Sequence, residues 1–154
     1  MKTFYFVLLS LFLFSCGNDD EVKDYREVND QQIQKYLEAN NLDAQKSNSG
    51  LYYIIEEEGT GAQPSAKSQV TVAYKGYFLN GNIFDQSNAS GVTFGLQQVI
   101  PGWTEGITYF KEGGSGKLLI PSHLGYGSDD SRGIPGGSVL IFDIKLLEVK
   151  EQNP

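Results

Sequence analysis

The stretch QVTVAYKGYF, residues 69–78, constrains the fold of this chain more than any other. Val70, Val72, Tyr74 and, beyond Gly76, Phe78 alternate with polar or small residues. That two-residue period belongs to a strand with one buried face. Asn80-Gly81 follows, a dipeptide suited to a tight hairpin turn, and the chain returns through Ile83-Phe84-Asp85. Four more segments read as strands: LYYIIEEE after the break at SNSG, then VTFGL, GKLLIPS and the long, strongly β-branched SVLIFDIKLLEVK. QQVIPGWTEGITYF reads as one short helix, with Pro101 in a first turn where no amide donor is missed. The segment HLGYGSDDSRGIPGG, between the last two strands, is too rich in glycine to be regular. Five or six antiparallel strands with one short central helix make an α+β fold, a sheet wrapped on a helix.

The lead before Gly50 has a different character. MKTFYFVLLSLFLFSCG opens with Lys2 and runs apolar from Phe4 to Phe14, broken only by Ser10. The run is too short to span a bilayer and fits the apolar core of an export signal. It ends in Leu13-Phe14-Ser15-Cys16, which resembles a bacterial lipobox. The resemblance implies a signal peptide over residues 1–15, and a diacylglyceryl group on Cys16, which becomes the first mature residue. The chain would then be an exported, membrane-anchored lipoprotein facing the periplasm or the cell surface. Two or more acyl chains make such an anchor stable. The plainer alternative is an ordinary signal with an incidental cysteine. An acidic spacer follows, then VNDQQIQKYLEANN, a helix with Asn29 as its expected N-cap, Gln32 completing a capping box, and Val28 and Ile33 at the staple positions. Its apolar stripe of Ile33, Tyr36 and Leu37 is narrow, so this helix either docks on something or is marginal alone. Residues 16–49 thus form a lead and 50–150 the main domain.

Charge and residue counts remove several function classes. The net charge is −7, and Asn18 to Glu58 holds eleven acids against four bases, whereas Gly59 to Pro154 holds eight against seven. No basic face for nucleic acid arises from this. Cys16 is the one cysteine, so there is no internal disulfide and no cysteine pair for zinc. The single His123 cannot build a multi-histidine metal site and reads as a turn or surface residue. No metal or cofactor is expected.

The one tryptophan, Trp103, follows Pro101-Gly102 at the start of the short helix. A ring of that size in a first turn is an odd core filler and a sensible pocket floor. Taken singly, Tyr74, Phe84, Trp103 and Phe142 each read as core. Taken together, VTVAYKGYFLNGNIFDQS, QVIPGWTEGI, GKLLIPSHLGYG and IPGGSVLIFDIKLLEV resemble, in order and spacing, the FKBP-type peptidyl-prolyl cis-trans isomerases. The likeness covers roughly Gly50 to Lys150. It implies a twisted antiparallel half-barrel closed over the short helix.

The resemblance also implies a pocket. Tyr74, Phe84 and Phe142 would form its walls, Val99 and Ile100 its rim, Trp103 its floor and Ile134 an apolar flap. Asp85 would be a buried carboxylate beside Phe84, and Tyr126 would reach the bound carbonyl; these two are the expected catalytic residues. Two positions depart from the family pattern: Val92, where an aromatic residue is common, and Gly136, where a second proline is usual after SDDSR and Ile134-Pro135. All matched residues follow Gly50, so the lead is expected to be dispensable for catalysis.

The implied activity is isomerisation of X-Pro bonds in exported polypeptides, with macrolide-type molecules as further ligands. The alternative is a non-catalytic tethered chaperone for proline-containing segments. Rotation about the amide breaks no bond to carbon, so an apolar pocket without a nucleophile suits it. Asp85 is expected to accept from the Tyr74 hydroxyl and His123 to take no part.

Overall fold

The structure, a computed structural model, describes residues 23–150. The expected export signal and Cys16 lie outside the described residues. Two helices, α1 (Arg26–Ala39) and α2 (Pro101–Gly106), accompany seven strands. The strands are β1 (Gln45–Lys46), β2 (Tyr52–Glu57), β3 (Gln69–Phe78), β4 (Ile83–Gln86), β5 (Val92–Gly95), β6 (Ser115–Ile120) and β7 (Leu140–Lys150). Against the five or six strands expected from sequence, the six segments read as strands are β2 to β7. The addition, β1, is two residues long, too short to carry an alternating pattern.

All pairings are antiparallel, in the order β1-β2-β6-β7-β3-β4. The spine is the β3–β7 ladder, which runs from Gln69 opposite Lys150 to Phe78 opposite Leu140, with one bulge between Thr71 and Val72. On its other edge β3 carries two short strands in series: β5 against residues 69–72 and β4 against residues 75–77. The β2–β6 ladder is bulged between Ile55 and Glu57.

Each face of the sheet meets one helix. Val70, Val72, Leu118, Ile120, Leu140, Phe142, Ile144 and Leu146 form a core with Trp103 and Ile107. On the opposite face Tyr52, Leu119 and Ile141 pack with Val139 against Ile33 and Leu37 of α1. Burial on both faces explains why β7 opens as the unbroken apolar run Leu140-Ile141-Phe142. The narrow stripe of α1 is therefore a docking face.

The start of α1 differs from expectation. Its N-cap is Tyr25, whose side chain makes no capping bond, and the first helical amide, that of Arg26, donates instead to Asp24 Oδ1 at 3.0 Å. Asn29 lies a turn inside the helix and is completely buried. A buried amide must find partners, and those available to Asn29 come from elsewhere in the fold. Its Oδ1 accepts from the Ser122 amide and hydroxyl at 2.8 and 2.7 Å, and its Nδ2 donates to the Gly137 carbonyl at 2.9 Å and to Gln32 Oε1 at 3.0 Å. Val28 is exposed, so the expected staple is not formed.

Two glycines set the height of α2 above the sheet. A Cβ at Gly102 would stand 2.6–3.0 Å from the Ile120 side chain, and one at Gly106 would stand 2.7 Å from both Leu118 methyls. Their absence lets the helix backbone rest directly on β6. The Thr104 hydroxyl pins the first turn by donating to the Leu96 carbonyl at 2.5 Å.

On the α1 side of the sheet Asp143 gathers three donors: the Tyr77 hydroxyl at 2.9 Å, Lys117 Nζ at 2.7 Å and Lys75 Nζ at 3.3 Å. Burial pushes the Asp143 carboxyl up, but its bonds to Lys117 and Tyr77 outweigh that and hold it below the ordinary 3.8. Burial works against the Lys117 charge, yet Asp143 raises it above the ordinary 10.5. Burial first, then the bond to Asp143, pushes the Tyr77 hydroxyl up. A depressed carboxyl stabilises the fold above its unfolded value, and that share is lost as pH falls through the lower folded value. A raised lysine stabilises below its unfolded value, and its share is lost as pH rises through the folded one. Asp143→Asn should therefore destabilise by about 1–2 kcal/mol at neutral pH, the size of a charged hydrogen bond discounted for partial exposure. In urea titrations the gap from the parent should shrink below pH 3.8 and above pH 10.5. A gap that stays constant down to roughly pH 2, well under the unfolded carboxyl value, would remove the charge from this account.

Candidate active site

Above α2 the sheet curls around a cavity of about 1100 Å³. Its floor is Trp103, only 4% exposed. Three rings meet the indole edge to face: Tyr74 at 5.2 Å and 89°, Phe142 at 5.3 Å and 82°, and Phe94 at 5.3 Å and 77°. This arrangement sets positive ring edges against negative faces and holds the indole at a fixed tilt. Trp103 Nε1 is buried without a hydrogen-bond partner among the described residues.

The side wall depends on a missing side chain. Phe84 of β4 meets Phe142 of β7 at 5.5 Å and 89°, and Phe78 meets Phe84 at 4.9 Å. Gly76 lies beneath them, where a Cβ would come within 2.7 Å of Phe142 and 2.8 Å of Phe84. Any larger residue on β3 would push these rings apart. Val99 and Ile100 line the rim at the entrance to α2.

Polar groups sit at the mouth. The Tyr74 hydroxyl donates to Asp85 Oδ2 at 2.8 Å. Burial, and then the bond and charge of Asp85, push the Tyr74 hydroxyl up to about 12, with a smaller push from Tyr126. Tyr74 is therefore a neutral donor at physiological pH. Asp85 is exposed, not buried as expected. Its strand is a four-residue edge strand, and only Phe84 within it turns toward the core cluster. The acceptor role toward Tyr74 is present; the burial is not.

Tyr126 and Ile134 reach the cavity from the loop between β6 and β7. Near the tip Ser131 and Ile134 exchange amide–carbonyl bonds of 2.9 and 2.8 Å. Arg132 and Gly133 turn between them at φ values of 51° and 78°. The departure at Gly136 has a local reason. Its amide donates to Asp130 Oδ1 at 2.8 Å, which a proline could not do, and a Cβ there would collide with the Ser128 carbonyl. The acids of SDDSR and the glycine thus belong to one arrangement.

All nine residues expected at a pocket line this one cavity: Tyr74, Phe84, Asp85, Val99, Ile100, Trp103, Tyr126, Ile134 and Phe142. Sequence reading missed Phe94, Phe78, Gln98 and Arg132, which line it too. Phe94 was legible in principle, since it pairs with the buried Val70; Arg132 sits in a turn with no period to betray it. Val92 is exposed and lies outside the lining. His123 is outside as well, with Nε2 placed 2.8 Å from the Ser49 carbonyl.

Residues 60–147 match the family of FKBP-type peptidyl-prolyl cis-trans isomerases. The chain belongs to that family. The FKBP-type peptidyl-prolyl cis-trans isomerase FkpA of Buchnera aphidicola subsp. Schizaphis graminum is 49% identical over 108 residues, 68% of this chain and 43% of that protein. Its counterpart in Escherichia coli strain K12 is 42% identical over 135 residues, 86% of this chain and 47% of that protein. The chain thus spans rather less than half the length of these curated relatives. The crystal structure of FkpA from Escherichia coli superposes with a TM-score of 0.72 at 40% identity, covering 81% of this chain and 61% of that one. The FKBP-type match takes in α2, β3 to β6, most of β7 and every cavity residue named above, while α1, β1 and β2 precede it.

A floor held by three ring contacts makes a sharp test. Trp103→Ala should destabilise by about 3–5 kcal/mol, as large-to-small core changes do, and Trp103→Leu should be milder for folding yet still weaken ligand binding. Indole emission should change when a proline-mimicking ligand fills the cavity. Unchanged emission at saturation would put the ligand elsewhere.

Proposed function

We propose that this protein isomerises X-Pro peptide bonds, with the prolyl ring seated on Trp103. The observation that carries this reading is the indole floor ringed by Tyr74, Phe94 and Phe142, with the Tyr74–Asp85 hydrogen bond at its edge. The planar amide resists rotation by about 18–20 kcal/mol because of resonance and charge separation. The twisted amide has lost both, so a dry aromatic pocket favours it over the planar form. Ile100, whose amide makes no backbone bond among the described residues, and Tyr126 both line the cavity, and the Ile100 amide and the Tyr126 hydroxyl are the donors this reading assigns to the substrate. They orient the carbonyls on either side of the bond. Asp85 holds the Tyr74 hydroxyl, which keeps that wall ring in place. A ten-thousandfold acceleration needs only about 5.4 kcal/mol, within reach of shape, desolvation and one or two hydrogen bonds.

In this mechanism no side chain gives or takes a proton. With Tyr74 raised to about 12 and His123 outside the cavity, kcat/KM in a protease-coupled assay on a short X-Pro peptide should be flat from about pH 6 to 8.5, across the range where a histidine titrates. Tyr126→Phe should lower it by roughly 1–2 kcal/mol, one lost hydrogen bond, and His123→Ala should leave it nearly unchanged. A bell centred near neutrality and abolished by His123→Ala would overturn the mechanism. Ligand binding without turnover would instead leave a tethered holder of proline-containing segments.

The same reading makes the chain an exported lipoprotein, anchored through Cys16 and facing the periplasm or the cell surface. The apolar run from Phe4 to Phe14 and the Leu13-Phe14-Ser15-Cys16 sequence support it. Its partners would be proline-containing segments of exported polypeptides, with macrolide-type molecules as competing ligands. The full chain should partition into detergent, and Cys16→Ala should abolish acyl labelling. An acyl mass that persists in Cys16→Ala would rule the anchor out.

A further inference from the structure

Ser122 and Gly137 are the two ends of one loop, and that loop carries Tyr126 and Ile134 into the cavity. It is rich in freedom. Gly127, Gly133 and Gly137 hold φ values of 87°, 78° and 75°, and a glycine loses more conformational entropy on ordering than any other residue. The loop's own ties near its base are mostly local: the Leu124 amide donates to the Pro121 carbonyl, the Gly125 and Gly127 amides to the Ser122 carbonyl, and the Ser138 amide and hydroxyl to the Pro135 carbonyl, while the Gly137 amide reaches the Gly127 carbonyl and His123 Nε2 lies 2.8 Å from the Ser49 carbonyl.

One side chain from outside grips both ends. Asn29 of α1, completely buried, takes the amide and hydroxyl of Ser122 on Oδ1 at 2.8 and 2.7 Å and gives an Nδ2 hydrogen to the Gly137 carbonyl at 2.9 Å. Those partners lie 93 and 108 residues away in sequence. Its second Nδ2 hydrogen goes to Gln32 Oε1 at 3.0 Å, so both donors are used. A carboxamide accepts with one atom and donates with another, which is what joining an amide to a carbonyl demands. Aspartate keeps only the accepting half. Beside this clasp the Tyr25 ring covers Gly137, where a Cβ would stand 2.5 Å from it.

We propose that Asn29 is a positioning residue for the active site: by tying Ser122 to Gly137 it closes the base of the loop and fixes where the Tyr126 hydroxyl stands over the floor. The inference rests on the reading of the cavity as an X-Pro isomerase site. It makes α1 part of the working enzyme.

The test uses the full chain carrying Asn29→Ala, Asn29→Asp, Tyr126→Phe and the paired changes, at a temperature where circular dichroism shows each to be folded. Hydrogen exchange across residues 122–137 should quicken by about tenfold or more in Asn29→Ala, as for a loop released from its anchors, while β6 and β7 stay protected. kcat/KM should fall roughly five- to tenfold, the worth of one misplaced hydrogen bond, with Asn29→Asp between the two. In the Tyr126→Phe background Asn29→Ala should cost less than about twofold more, because the two act through one group. Fully additive losses, or unchanged loop exchange in both Asn29 variants, would overturn the proposal. If Asn29→Ala does not fold, Asn29→Asp carries the same cycle. An inactive parent chain would sink the reading of the pocket alone, and loop exchange would still decide whether Asn29 holds the loop.

Discussion

The contact between α2 and β6 is the constraint on which the rest of the molecule depends. Gly102 and Gly106 face Ile120 and Leu118 with no room for a methyl group. They let a six-residue helix lie on the sheet, and so they set the depth at which Trp103 stands. A helix this short has little stability alone. It exists because the curl of the sheet, Thr104 and the buried Ile107 hold it. Raising it by even part of an ångström would move the indole against Tyr74, Phe94 and Phe142 together.

The cavity that results divides its labour by chemistry. Rings and aliphatic chains make the floor and walls, and charge is kept to the mouth, at Asp85 and Arg132. A pocket so lined offers a bound group an aromatic surface rather than a row of charges. It can exclude water, which favours the less polar of two states of a bound amide. The Tyr74–Asp85 bond fits the same division, since it holds a wall ring from the exposed side.

Much of this was legible in sequence because the sheet's two helices impose different patterns on it. Val70, Val72 and Tyr74 alternate because one side of β3 meets α2, whereas Leu140-Ile141-Phe142 runs unbroken because β7 is covered on both sides. The cavity residues were legible only through the order of their motifs, since each ring alone looks like core. What escaped had physical reasons. Asn29 has the residue type and the Gln32 spacing of a cap, and nothing local tells that Ser122 and Gly137 compete for it. Asp85 adjoins a half-buried ring, but its strand lies on the edge, where the neighbouring residue faces water. The grip of α1 on the loop rests on pairs about a hundred residues apart, beyond any local pattern.

The margins of the sheet have a meaning of their own. Open strand edges are templates for any extended chain that drifts past. Beyond the two residues of β1, the outer side of β2 runs into three consecutive acids, Glu56 to Glu58, which guard it. At the other margin β4 and β5 break the long side of β3 into two short pieces, and neither offers more than four residues. The molecule thus presents a groove of side chains and only short lengths of open backbone ladder. An extended chain passing this molecule finds no long strand on which to stay.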